Sequence, residues 1–152
     1  MAIKNIATNR KAKRDYFLID LYEAGLVLKG SEIKSIRNGR VSLNEAYVRT
    51  DGEQAWLVDA YIATYQQAGL FNHDPRRQRK LLLHRKEISK IWDQVRQKGM
   101  TVIPTRLYLK DNLAKVEIAV AKGKKQYDKR QIIAKRDSER EIERHYKRRK
   151  NR

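Results

Sequence analysis

The chain has 152 residues, 36 Lys and Arg against 18 Asp and Glu, a formal net charge of +18 and a pI near 10.3. That length holds one domain of ordinary size with a little over. The lack of any cysteine excludes disulfide frameworks, thiolate-bound zinc and thiol catalysis. A field of this sign and size attracts polyanions.

Residues 1–14 read as a basic, weakly patterned, flexible arm, and residues 15–121 as the folded domain. From Asp15, DYFLIDLYEAGLVL is rich in aromatic and branched residues and reads as two strands joined at Glu23-Ala24-Gly25. GSEIKSIRNG predicts a short helix: Ser31 caps it, Ile33 and Ile36 form its apolar side, and Gly39 provides a left-handed exit. VSLNEAYVRT alternates as a strand with Val41, Leu43 and Tyr47 inward, DGE turns, and QAWLVDAYI returns. Residues 63–79 form a polar loop punctuated by Asp74-Pro75. From Arg85 to Lys98 the period becomes helical, with Ile88, Ile91, Trp92 and Val95 on one face and Gly99 closing it. MTVIPTRLYLK and LAKVEIAV, joined by Asp111-Asn112, make a final hairpin. Several short strands with helices between them suggest a mainly β, OB-like antiparallel barrel, because closure removes exposed edges.

Residues 122–152 carry fourteen Lys and Arg against five Asp and Glu, about half the excess charge in a fifth of the chain. Within them AKGKKQYDKR sets five cations around Tyr127. The segment has helix formers and opposite charges at helical spacing, but Ile142 and Tyr146 are its only sizeable apolar residues after Ile133. So thin a stripe does not hold a helix to a core, and the expectation is a tail disordered when free and helical when docked.

The residues give little for catalysis. His73, His84 and His145 share no metal-ligand spacing, and neither a phosphate loop nor a nucleophile elbow is present. Glu23, Glu32 and Glu45 could pair as acid and base, but such carboxylates mostly face solvent. The cationic patches say more. RKAKR (Lys11 at its centre), RRQRK (Arg76, Arg79 and Lys80) and KGKK each border a predicted element, and cations that displace counterions from phosphates bind nucleic acid strongly. Gly123 permits a sharp bend at the exit, and Tyr127 offers a ring either for stacking on a base or for packing on the barrel rim. Of Leu81-Leu82-Leu83, one can point outward against a base or ribose.

NRKAKRDYF, EAGLVLKGSEIKSIRNGRVSL, DPRRQRKLLLHRKEI and VAKGKKQYDKR, in that order, resemble the successive signatures of the SmpB family of SsrA-binding proteins, from about residue 9 to 130. The resemblance implies a non-enzymatic adaptor of trans-translation without cofactor. Such an adaptor binds the tRNA-like domain of transfer-messenger RNA and enters stalled ribosomes, where its tail occupies the decoding centre and the empty mRNA channel. Asn9, Glu23, Leu82 and His84 then contact the tRNA-like domain. Lys122, Lys124, Lys125, Tyr127, Asp128, Lys129 and Arg130 reach the decoding centre. Along the tail Lys135, Arg136, Arg140 and Arg144 follow as cations, with Ile142 and Tyr146 as apolar anchors. His84 and Tyr127 stand where the family more often has asparagine and histidine; an imidazole can still hydrogen-bond and a tyrosine can still stack. The implied partners are transfer-messenger RNA, 16S and 23S ribosomal RNA and, through the aminoacylated RNA, elongation factor Tu. A cytoplasmic monomer without membrane contact is expected, as MAIKNIATNRKAKR lacks the apolar core of a signal peptide. The alternative is a generic OB-type RNA-binding or ribosomal protein.

Overall fold

The computed structural model describes residues 3–123. The chain divides into two units, residues 1–122 and 123–152, and the body described below belongs to the first. In chain order its elements are β1 (Ile3–Thr8), α1 (Arg10–Asp15), β2 (Tyr16–Leu26), α2 (Gly30–Arg37), β3 (Val41–Ser42), β4 (Tyr47–Thr50), β5 (Ala55–Val58) and β6 (Tyr61–Ile62). A 3-10 turn (Gln66–Phe71), β7 (Arg79–Leu82), α3 (Arg85–Lys98), β8 (Thr101–Lys110) and β9 (Leu113–Gly123) follow.

Among the described residues, seven strands form one sheet in the order β1-β8-β9-β2-β7-β5-β4, while β3 pairs with β6. The sheet curls until its ends approach, with β4 against β8 and β1 against β3. The result is an OB-like antiparallel barrel with short helices outside it. Leu57, Leu107, Val116, Ile118 and Val120 fill its interior, with Ile36 of α2 and Ile91 of α3 closing over them.

Local signals account for several elements. Asp111 and Asn112 both have positive φ, the geometry of a two-residue turn whose twist suits the β8–β9 hairpin. Gly99 ends α3 in the left-handed conformation at φ 62°. In α2 the cap differs from expectation. Lys29 is the N-cap, its amide donating to the Glu32 carboxylate at 2.8 Å, while Ser31 is buried and turned towards His73.

Four other readings are corrected. Residues 3–8, expected in a flexible arm, are β1, an edge strand held by β8. The two strands expected over 15–28 are one continuous β2, in which Gly25 lies opposite Leu82 of β7 instead of making a turn. Tyr47 points outward, because a turn closed by the Ala46 amide and the Leu43 carbonyl shifts the phase and sends Ala46 and Val48 inward. Finally, part of the expected polar loop is β7: Arg79 carries its charge into the interior beside Glu32.

That burial is compensated. The Arg79 guanidinium, fully buried, donates to Glu32 Oε2 at 2.5 Å and to the carbonyls of Ala60 at 2.7 Å and Pro75 at 3.1 Å. Arg77 donates to the other carboxylate oxygen of Glu32. A buried charge is tolerable when paired and hydrogen-bonded on all sides. The network joins α2, the chain at 74–75 and β7, and so sets which face of β7 looks outward.

Candidate nucleic-acid interface

With Arg79 and Leu81 inside, strand alternation puts Leu82 outside, where it is 54% exposed. Beside it runs an open groove of about 560 Å³. Its walls come from segments distant in sequence: Glu23 and Gly25 of β2, Lys80 and Leu82 of β7, His84 at the N-terminus of α3, and Lys115 of β9. Gly25 sets the floor. A Cβ at this position would lie 3.3 Å from Leu82 Cβ and 3.7 Å from the Lys115 ammonium, so the missing side chain gives both groups their room. The His84 amide donates to the Glu87 carboxylate at 3.1 Å, which anchors the start of α3 and leaves the His84 side chain exposed.

Glu23 is an acid among bases. Tyr108 and Lys115 face each other across β8 and β9, and β2 is the next strand. The Tyr108 hydroxyl donates to one Glu23 oxygen, and the Lys110 ammonium lies 3.5 Å from the other. The tyrosine hydrogen bond, aided by Lys110 and Lys115, holds the Glu23 carboxyl below the usual carboxylate range. Burial beside this carboxylate pushes the Tyr108 phenol up, so it remains a donor. The groove thus offers a fixed carboxylate acceptor, two ammonium groups, an imidazole and an exposed leucine, with the Glu53 and Glu87 carboxylates also on its wall. Ammonium groups meet phosphates, and a carboxylate beside them accepts only from base amino groups or ribose hydroxyls. The combination fits folded RNA better than featureless polyanion.

Comparison with known proteins agrees with the chemistry. The model of the family described as SmpB protein matches residues 6–148. An SsrA-binding protein of Desulfitobacterium hafniense is 56% identical over 145 residues, 95% of this chain and 93% of that one. Another, of Persephonella marina, is 52% identical over 147 residues, 97% of each chain. The chain belongs to the SmpB family. A solved structure described as "tmRNA-SmpB: a journey to the center of the bacterial ribosome" contains a chain of like fold. It has a TM-score of 0.65 and 41% identity, covering 76% of this chain and 82% of that chain.

Within this SmpB-family body the remaining expected contacts separate. Asn9 is buried, its side chain accepting from the Ala12 amide at 3.3 Å and donating to the Pro104 carbonyl at 2.9 Å. It caps α1 and ties it to β8, and both its polar groups are committed. Arg79 is withdrawn from direct contact for the same reason, being enclosed by Glu32 and carbonyls. Lys11 of α1 is exposed, on a surface formed with Asn44 and Tyr47 of the β3–β4 region. Arg76 lies on the adjoining surface, 3.3 Å from Glu45 and above the Tyr61 ring. Neither lines the Leu82 groove. Lys122 is exposed near the end of β9 and Gly123 is its last residue. Lys124, Lys125, Tyr127, Asp128, Lys129, Arg130, Lys135, Arg136, Arg140, Ile142, Arg144 and Tyr146 lie outside the described residues, as does the tail's expected disorder.

Glu23, Glu32 and Glu45 do not converge: one sits in the groove, one is buried with two arginines, and one pairs with Arg76. Among the described residues no group of three His, Asp or Glu side chains could hold a metal ion, and no helix is long and apolar enough to cross a membrane. Sequence reasoning missed Gly25, Lys115 and Tyr108. Outward alternation in LAKVEIAV could have drawn attention to Lys115; nothing local marks Tyr108 as the partner of a residue 85 positions away.

Proposed function

We propose that the chain is an RNA-binding adaptor of trans-translation, which grips the tRNA-like domain of transfer-messenger RNA in the Leu82 groove and carries it to stalled ribosomes. One observation carries this reading. Glu23 of β2, the neighbouring Lys80, Leu82 and His84 about sixty residues later, and Lys115 of β9 line one groove over a glycine floor. In this arrangement Lys80 and Lys115 neutralise phosphates, Glu23 selects donors on bases or ribose, and Leu82 packs against a sugar or base face. The reaction chemistry belongs to the ribosome, and the protein contributes binding and positioning.

The basic segment from Lys122 onwards enters the decoding centre and the empty mRNA channel, meeting 16S and 23S ribosomal RNA, and elongation factor Tu joins through the aminoacylated RNA. The protein works as a cytoplasmic monomer, a state favoured by self-repulsion at +18. The test pairs Leu82→Ala with deletion of residues 131–152. The first weakens binding to isolated tRNA-like RNA at physiological salt, with folding unchanged. The second largely keeps that binding but abolishes peptide tagging on stalled ribosomes. If the deletion lowers affinity for every RNA in proportion to charge lost, the protein is a generic binder and the reading fails.

A further inference from the structure

Residues 60–73, AYIATYQQAGLFNH, form the longest stretch of the chain without Asp, Glu, Lys or Arg. In a protein that is 36% charged this is an anomaly, and it coincides with the most exposed apolar side chains among the described residues. Leu70 and Phe71, at the end of the 3-10 turn, are 101% and 88% exposed.

The loop beneath them is built. The Asn72 side chain clasps Tyr65 in both directions, accepting from its amide at 3.0 Å and donating to its carbonyl at 2.7 Å. This closes the loop across its neck as a backbone pair would. Below the clasp, His73 is buried between the Ser31 hydroxyl at 2.8 Å and the Ile62 carbonyl at 2.9 Å. The Ala63 carbonyl accepts from Ser35 at 2.5 Å, and the Lys34 ammonium lies 5.2 Å from the centre of the Tyr65 ring. At the tip Gly69 takes φ 54°, a left-handed bend that glycine adopts without strain. A pinned neck thus holds two large apolar side chains out in water.

The charge pattern selects the occupant. A surface made for nucleic acid carries cations among its rings, as the rest of this molecule does, yet the tip has none. A second copy would bring another +18 against this one. An apolar tip without charge fits a pocket in a protein, while Lys34 over the Tyr65 ring and Arg76 over the Tyr61 ring, at the foot of the loop, suit carboxylates around the mouth of that pocket. We propose that residues 66–71 are a docking knob, with Leu70 and Phe71 entering an apolar, acid-rimmed pocket on a protein component of the stalled ribosomal complex. The choice of complex rests on the function proposed above.

The experiment uses full-length protein with transfer-messenger RNA and purified ribosomes stalled on a message without a stop codon. One photo-crosslinker is installed as Phe71→p-benzoylphenylalanine and another as Leu82→p-benzoylphenylalanine. The expected result is cross-linking to protein from position 71 and to RNA from position 82. Protein cross-linking at 71 without RNA cross-linking at 82 supports the knob and refutes the RNA groove. RNA cross-linking at 82 with only RNA, or nothing, at 71 overturns the knob and leaves the groove standing. The double variant Leu70→Ser/Phe71→Ser should lose about 10- to 100-fold in affinity for stalled ribosomes while keeping its melting temperature and its affinity for isolated tRNA-like RNA. Unchanged ribosome affinity overturns the proposal. So does binding to vesicles of phosphatidylcholine and phosphatidylglycerol that the double variant loses, since the knob would then meet lipid.

Discussion

Replacing Glu32 with alanine removes the carboxylate at which the Lys29 amide, Arg77 and Arg79 meet. Arg77 is part-exposed and can turn to water, but the Arg79 guanidinium is fully buried and would keep only carbonyl acceptors. Removing one partner of such a buried pair leaves an uncompensated charge and costs about 3–5 kcal/mol. For a chain of this size that lowers the melting temperature by about 6–20 °C. Urea unfolding followed by the fluorescence of Trp56 and Trp92 measures the loss, with Glu32→Gln as the variant that keeps a neutral acceptor. The pH dependence is a second check. Burial pushes the Glu32 carboxyl up, but the hydrogen bonds from Arg77, the Lys29 amide and Arg79 outweigh it and hold the group below its ordinary value. The stabilisation is therefore fully present above the ordinary carboxylate value of 4.5 and is lost as pH falls through the depressed native value. The stability gap between wild type and Glu32→Gln should narrow on acidification below about pH 4.5. A loss under about 1 kcal/mol for Glu32→Ala, or a gap to Glu32→Gln that does not change with pH, would refute the argument.

Tyr108→Phe removes the donor that orients Glu23 and should weaken binding to tRNA-like RNA by about 2- to 10-fold in a gel-shift titration, the worth of one hydrogen bond. Lys80→Ala and Lys115→Ala should each reduce the slope of log affinity against log salt by about 1, measured from 50 to 300 mM salt at about constant pH. Gly25→Val crowds Leu82 and the Lys115 ammonium at the groove floor. It should lower RNA affinity at least about 10-fold while costing about 1–3 kcal/mol of stability.

Where the determinants are local, the sequence was readable. α3 follows from its 3.6-residue apolar period and Gly99, and the β8–β9 hairpin from Asp111-Asn112. Where they are distant, it was not. β1 has an unremarkable sequence and becomes a strand because β8, a hundred residues later, presents an edge to it. Asn9 looks like any polar residue in a basic arm; its burial depends on the Pro104 carbonyl arriving beside α1. The leucine triplet showed that one side chain could face out, and the phase of β7, set by the Arg79–Glu32 pair, made it Leu82.

Composition and motif order alone determined that this is a basic, mainly β, RNA-directed chain of the SmpB type, because charge and short-range periodicity are properties that a sequence carries in one dimension. Which cations reach a ligand was decided by the tertiary structure. Arg76, Arg79 and Lys80 lie within five positions, yet one pairs with Glu45 on another surface, one is sealed in the interior, and one lines the groove. Exposure and long-range pairing depend on partners brought together only when the barrel closes, and that information is not local to any stretch of the chain.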